Sequence, residues 1–328
     1  MRNFKIRLAV VIINYKTPEL VINCLETLLP ELDDLATKVV IIDNNSNDDS
    51  CETISHWLSR NDSLNQVKLI SSQENSGFSG GNNRGICEVE AEYYLLLNSD
   101  TLIRKGAIAL LLGAADKDKQ AGLISPRLEW PDGTPQESCF KFHTPISELI
   151  SSANTGVVTR LFQKFNVPQP VSEQSSYYDW TSFACVLVKA EVFKDIGLMD
   201  DGYFMYYEDV AFAYKAKQEE WKVLNVPDAH VVHLRGGSSP VKSQAKLRKR
   251  LPRYYYESRT RYFFQRYGHV GLFSANLFWA LGWGISSLRQ LISPTFAPAI
   301  SDFQWRDIWM HFTNPERPYI HPDNYDKT

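Results

Sequence analysis

Four short apolar runs, each ending on polar side chains, constrain this chain more than any other feature. LAVVIINY (8–15), VVIID (39–43), VKLIS (67–71) and YYLLLN (93–98) are rich in aliphatic and β-branched residues. Runs of this kind suit parallel strands covered on both faces. Helical signals separate them. Thr17 stands at a capping position, Pro18 at the first helical position, and Leu20, Val21, Cys24, Leu25, Leu28 and Leu29 form one stripe. A turn, NNSNDDS, precedes a predicted helix from Cys51 to about Arg60, and a glycine-rich turn precedes another that begins near Gly81. Strand alternating with helix predicts an α/β fold: a Rossmann-like, mainly parallel sheet with flanking helices and right-handed crossovers. Ligands of such sheets sit at the carboxyl ends of the strands. Here those ends read Asn14-Tyr15, Asp43-Asn44-Asn45, ENSGFSGGNNRG (74–85) and Asn98-Ser99-Asp100. Four polar ends on one edge predict a single polar ligand bound across it; the alternative is four solvated turns.

Farther along, periodicity is weak from 126 to 178, a stretch read as loops and short helices. FACVLVK (183–189) returns to strand, YYEDVAFAYKAKQEE (206–220) to helix, and WKVLNVP and HVVHL (230–234) to strand. With a net charge of −3 and 44% hydrophobic residues, the chain is no nucleic-acid binder by bulk charge. The five cysteines form no C-x-x-C pair, which argues against a disulfide framework or a zinc site and fits a reducing cytosol. The basic, apolar opening lacks a small-residue cleavage site, so it reads as the first strand rather than a signal peptide. GFSGGNNRG departs from G-x-G-x-x-G and follows the third strand, not the first, and no P-loop spacing occurs. A dinucleotide-dependent sugar-modifying enzyme is therefore disfavoured.

Taken together, VVIINYKTPELVINCLETLL, VVIIDNNSNDDS, ENSGFSGGNNRGI, YLLLNSDT, DWTSFACVLVKAEVFKDIGLMD and YFMYYEDVAFAYKAKQEEWKVLNVPDAHVVHLRGGSS resemble the family 2 inverting glycosyltransferases of GT-A fold. Within that family they are most similar to the rhamnosyltransferase-type branch of bacterial polysaccharide synthesis. The resemblance implies a GT-A catalytic domain over residues 1–240, with a nucleotide-sugar-binding half at about 1–125 and an acceptor and catalytic half at 126–240. It implies transfer of a sugar, in its most specific form rhamnose from dTDP-rhamnose, to a glycan or lipid-linked glycan.

Residue by residue, it places Asn14, Tyr15 and Asp43 around a pyrimidine; Asp43 could instead cap the next helix. Asn75, Gly77, Phe78, Gly81 and Arg84 would approach the ribose and phosphates, while the glycines could equally serve tight packing. Asn98, Ser99 and Asp100 stand where the family carries a D-x-D motif, implying Mg²⁺ or Mn²⁺ on the diphosphate. Asn98 replaces the first acid. His233 is implied as a further metal ligand, against an ordinary structural histidine. The Glu-Asp pair implies Asp209 as general base, with Glu208 orienting the acceptor or tuning Asp209; a helix start enriched in acids is the alternative. Where the family often writes a third acid, this chain has Ala211. Trp180 is implied as a sugar-stacking platform, or else as a core tryptophan.

Residues 241–328 read as a basic-aromatic and hydrophobic helical appendage. Nine Lys or Arg face one acid between Lys242 and Arg266, and Val270 to Leu288 holds no charge. That run is diluted by Gly, Ser and Asn, so a helix at a membrane surface is expected rather than one that spans it. The alternatives are a hairpin packed on the protein and a contact between copies in a homo-oligomer. A cytoplasmic protein, peripheral at the inner face of the membrane, is the expected setting. From a different class comes the competing reading of a non-catalytic sugar-nucleotide or glycan-binding protein that has kept the fold.

Overall fold

A computed structural model describes residues 5–33, 35–61, 65–235, 241–293 and 295–327; the GGSS portion of the last motif lies outside them. The elements run β1 (Ile6–Asn14), α1 (Pro18–Leu28), β2 (Thr37–Asp43), α2 (Ser50–Arg60), β3 (Val67–Ser71), α3 (Gly77–Cys87), β4 (Ala91–Asn98), β5 (Thr101–Ile103), α4 (Ala107–Lys117), β6 (Ala121–Glu129) and β7 (Cys139–Phe140). Then come α5 (Pro145–Ala153), α6 (Gly156–Leu161), β8 (Ser176–Tyr178), β9 (Trp180–Thr181), β10 (Cys185–Lys189), α7 (Ala190–Ile196), α8 (Glu208–Gln218), β11 (Lys222–His233), α9 (Val241–Lys246), α10 (Arg253–Ile292) and α11 (Gln304–Asp307). They form two compact units. The first comprises Met1–Phe140, Pro170–Asp201 and Asp209–Ser238; the second comprises Lys141–Gln169, Gly202–Glu208 and Ser239–Thr328. A cut at 240/241, as drawn on the sequence, leaves 141–169 and 202–208 with the first part.

In the first unit the sheet order is β3-β2-β1-β4-β10-β6-β11-β5, with β8 also paired to β11. Strands β3, β2, β1 and β4 are parallel neighbours. Next, β10 inserts antiparallel between β4 and β6, β11 runs parallel to β6, and β5 pairs antiparallel with β11. The continuous apolar runs are explained by burial on both faces. Leu8, Val10 and Ile12 of β1 and Val39 and Ile41 of β2 pack with Val21, Leu25 and Leu28 of α1 and Ile54 of α2. On the opposite face α3 comes so close that a Cβ on Gly85 would lie 2.3 Å from Val11 Cγ1, and one on Gly81 would lie 3.0 Å from Ile13 Cδ1. Each fully buried aliphatic side chain contributes roughly 1.5–3 kcal/mol.

Three expectations need correction. The 126–178 stretch is not only loops and short helices, because β7 and β8 lie within it and β6 runs to Glu129. WKVLNVP and HVVHL belong to one strand, β11, whose register against β6 shifts between Val226 and His230. The helix placed near Gly81 begins at Gly77, so the glycine-rich segment forms its first turns.

The second unit is mostly helical. Thr144 and Ser147 close a reciprocal capping box on α5. Tyr254, Tyr256 and Trp279 of α10 share a core with Phe204, Leu251 and Ile308. The backbone of α10 breaks at Gly268, where φ is 66°, a value glycine accepts without a Cβ penalty.

Candidate functional site

The parallel register sets the carboxyl ends of the strands side by side: Asn14 is paired with Asp43, Asp43 with Ser71, and Ile13 with Asn98. The chain therefore does bring its polar strand ends to one edge. Asn14 Nδ2 donates to Asp43 Oδ1 at 2.7 Å and to Ser46 Oγ at 3.2 Å, and Ser46 Oγ donates to Asp43 Oδ1 at 2.6 Å. The Ser46 backbone N–H adds a bond to Asp43 Oδ2 at 3.2 Å. Asp43 thus organises the turn that follows it and is buried there. Tyr15, half-buried, carries Lys16 Nζ 5.2 Å from its ring centroid.

Asn44, named in the sequence only as part of a polar strand end and given no role of its own, ties the next loop to this edge. Its amide donates to Asn75 Oδ1 and to the Gly77 carbonyl, both at 2.9 Å, and its oxygen accepts from the Ser76 N–H at 3.2 Å. Gly77 has a φ of 69° at the loop-to-helix junction, which is why a glycine stands there. Phe78 is half-buried in the first turn of α3. Arg84 is exposed and reaches back to the end of β3, donating to Ser72 Oγ at 3.1 Å and to the Ser71 carbonyl at 3.4 Å. Gly81 and Gly85 meet the side chains of β1, so close helix–strand packing accounts for them directly.

The turn Ser99-Asp100 joins β4 to β5, and both residues are buried. Ser99 Oγ lies 3.4 Å from Thr17 Oγ1, linking the turn to α1. Because β5 pairs antiparallel with β11, Thr101 sits opposite His233. His233 Nε2 consequently approaches to 3.5 Å of Asp100 Oδ1 although the two are far apart in the chain. Gln136 Nε2 donates to the His233 carbonyl at 2.7 Å, fixing the strand end. His233 Nδ1 is buried without a hydrogen-bond partner among the described residues, a costly state for a ring nitrogen unless a ligand or water meets it. Oxygen and imidazole donors side by side suit a divalent cation. Among the described residues no three His, Cys, Asp or Glu side chains converge, so substrate or water oxygens would have to complete such a shell.

Arg235, also missed, follows two residues later. Its side chain donates to Gln136 Oε1 and, at 3.2 Å, to the Glu137 carbonyl. Burial lowers its pKa while the charges of Glu137 and Asp100 oppose that shift, which puts a cation within the field of Asp100. The available signal was a basic residue directly after the strand that carries His233.

Glu208 and Asp209 open α8, Glu208 buried and Asp209 half-buried. Asp209 Oδ1 accepts from the Val210 N–H at 2.8 Å. The preceding Tyr206 and Tyr207 adopt φ of 72° and 67°, left-handed values that are costly for bulky side chains. Within the second unit Tyr207 is held by ring contacts to His143 at 5.3 Å, Tyr262 at 5.4 Å and Tyr255 at 5.9 Å. Strain fixed by such a nest marks a turn whose geometry is over-determined. Trp180 lies in the small β7–β9 sheet, buried, with Phe140 stacked at 4.3 Å. One ring face is therefore taken by the protein, as the core-tryptophan alternative requires.

Against known proteins, residues 9–154 match the family model described as Glycosyl transferase family 2. The chain is 30% identical over 229 residues to a low-salt glycan biosynthesis hexosyltransferase, Agl10, of Haloferax volcanii, covering 69% of this chain and 65% of the relative. It is 26% identical over 234 residues to an N-acetylglucosaminyl-diphospho-decaprenol L-rhamnosyltransferase of Mycobacterium tuberculosis, covering 66% of this chain and 72% of the relative. In fold it is similar to GalNAc-T7, solved with UDP, GalNAc and Mn²⁺, at a TM-score of 0.61 and 17% identity, covering 94% of this chain and 58% of that one. A mannosyltransferase from Pyrobaculum calidifontis, solved with GDP-Man and Mn²⁺, aligns at a TM-score of 0.52 and 13% identity, covering 99% and 89%. At these identities the structural likeness establishes the fold.

Proposed function

The chain belongs to glycosyl transferase family 2 through residues 9–154, and from that premise we propose that it is an inverting transferase. It would move a sugar from a nucleoside diphosphate to a glycan or lipid-linked glycan. The observation that carries the reading is the pairing of Asp100 with His233, 3.5 Å apart, on the edge where Asn14, Asp43 and Asn98 also end their strands. The name of the Haloferax relative favours a hexose donor and that of the Mycobacterium relative favours rhamnose; dTDP as the carrier comes from the resemblance of the sequence motifs.

In this reading Asp43, Asn14 and Tyr15 receive the nucleobase, and Asn75, Gly77, Phe78, Gly81 and Arg84 border the ribose and phosphates. Asp100 and His233 would hold Mg²⁺ or Mn²⁺, which when bound neutralises charge on the departing diphosphate. Asn98 and Ser99 flank that position, and Arg235 adds a fixed positive charge to the field of Asp100. Asp209 takes the proton from the acceptor hydroxyl as its oxygen attacks the anomeric carbon from the side opposite the diphosphate. Glu208 sets the charge around that base, and Trp180 supports the acceptor side from its stacked position.

The test uses the full chain. A panel of nucleotide sugars is screened for binding by calorimetry, and transfer is followed by nucleotide release and by the anomeric configuration of the product. Asp209→Asn is expected to lower kcat about 10²–10⁴-fold with donor affinity retained, whereas Asp100→Ala is expected to lose donor affinity in Mn²⁺. Transfer by Asp209→Asn within tenfold of the parent, or a product of retained configuration, would overturn the reading.

A further inference from the structure

Residues 241–328 carry thirteen Lys or Arg against six Asp or Glu, in a chain whose net charge is −3. Beyond its bend at Gly268, α10 has a single Lys or Arg, Arg289, and no acid. It presents two apolar faces. Leu272, Ala275, Trp279 and Gly282 are turned inward, and a Cβ on Gly282 would lie 2.1 Å from Ser152 Oγ of α5. On the opposite face Val270, Phe273, Leu277, Leu281, Leu288 and Ile292 recur every three to seven residues and stay exposed, from 45% at Leu277 to 87% at Ile292. With a rise of 1.5 Å per residue the stripe is about 33 Å long. A helix apolar on both sides ordinarily has both sides covered, and an exposed patch of this extent marks an interaction surface.

The surroundings of the stripe indicate what covers it. Trp309, 6.1 Å from Phe273 between ring centroids, joins the stripe to a second exposed cluster that contains Phe303 and Trp305. The guanidinium groups of Arg250 and Arg306 lie 5.6 and 5.5 Å from the Phe303 ring. The Asp302 N–H donates to the Arg248 carbonyl at 3.0 Å, which brings the exposed basic segment 246–250 to the same place. Of the nearby acids, Asp307 is tied to Arg250 at 2.7 Å and is buried. Tryptophan beside long basic side chains, next to an aliphatic stripe, matches the layering of a bilayer surface: acyl boundary, headgroup level, phosphate. A facing protein surface would need no such layering. Among the described residues no helix is long and apolar enough to cross a membrane, so α10 would lie in the surface plane.

We propose that this face of the second unit docks on an anionic lipid bilayer. The α10 stripe enters the acyl boundary, Trp305 and Trp309 sit at headgroup depth, and Arg248, Lys249 and Arg306 meet lipid phosphates. The proposal stands apart from the transfer chemistry, and its test does not require turnover. The full chain is floated with vesicles of phosphatidylcholine containing about one-third phosphatidylglycerol, and with phosphatidylcholine alone. Binding to the anionic vesicles is expected to exceed binding to the neutral ones at least about tenfold. Leu277→Asp with Leu281→Asp, both on the exposed face, is expected to reduce it about tenfold or more; Arg248→Glu with Lys249→Glu is expected to reduce the anionic preference while circular dichroism stays unchanged. Absence of vesicle binding, or binding indifferent to both double variants, overturns the proposal. So does a dimer in sedimentation velocity that the Leu277→Asp, Leu281→Asp variant dissociates while vesicle binding is unaffected, because the stripe would then belong to a second copy.

Discussion

Replacing Glu148 with Gln should destabilise the second unit by about 3 kcal/mol, and the figure follows from the contacts of Arg259. Arg259 is 3% exposed and Glu148 7%, so neither charge is solvated. Glu148 Oε2 accepts from Arg259 Nε at 3.0 Å and Nη2 at 2.7 Å; Asn276 Oδ1 accepts from Nη1 at 2.7 Å. At an effective dielectric of about 20, a pair with charges about 4 Å apart attracts by roughly 4 kcal/mol. Glutamine keeps the shape and one acceptor oxygen, which returns about 1 kcal/mol as a neutral hydrogen bond. The guanidinium is then buried beside a dipole in place of an anion. Urea unfolding, combined with hydrogen exchange of the α5 and α10 amides, reads the loss where it arises. Glu148→Leu combined with Arg259→Met is the control. Removing both charges should recover most of the loss, less about 1 kcal/mol for Asn276 Oδ1, which would lack its donor. A Glu148→Gln cost below about 1 kcal/mol, or a double variant as unstable as the single one, would refute the assignment of a desolvated charge pair.

Two further outcomes are expected. Burial, reinforced by Arg259 and Arg266, lowers the His143 pKa from 6.5 to about 4. The unfolded chain therefore binds the proton first, and stability should fall as pH drops from about 6.5 to about 4, by at most about 3 kcal/mol; His143→Gln should flatten that part of the profile of unfolding free energy against pH, and an unchanged slope would count against it. Gly85→Ala would drive a methyl group to 2.3 Å from Val11 Cγ1 in the sheet, so it should cost about 1–3 kcal/mol in thermal or urea unfolding; a melting temperature equal to that of the parent would contradict the packing described for α3.

The parallel half of the sheet was legible because its strands are covered on both faces. Burial of that kind writes an unbroken apolar run, as in Val39 to Ile42, all fully buried. The strand β6 escaped because AGLISPRLE mixes Gly, Pro and charge into a segment that is nonetheless mostly buried between β10 and β11. Tertiary pairing there overrides local propensity. At Gly77 the glycine-rich segment read as a turn, since glycine lowers helix propensity. Gly80, Gly81 and Gly85 nevertheless lie inside α3, and larger residues at 81 and 85 would collide with Ile13 and Val11.

For the site, motif and geometry carry different information. Polar residues after strands mark the edge in sequence, yet nothing local says that Asp100 faces His233; that contact exists because β5 turns back and pairs antiparallel with β11, a relation spanning Thr101 to His233. The left-handed Tyr206 and Tyr207 were equally hidden, because two tyrosines carry no turn signature and read as the start of a helix. Ring contacts of Tyr206 with Tyr254 and Tyr255, and of Tyr207 with His143 and Tyr262, all within the second unit, hold that backbone against a cost of about 1–3 kcal/mol per residue. The two misses share a cause: each feature is held by groups distant in sequence, which specify a rigid arrangement without leaving a local pattern. Residues that organise a site from a distance, such as Gln136 behind His233, are on this argument the ones that motif reading omits first.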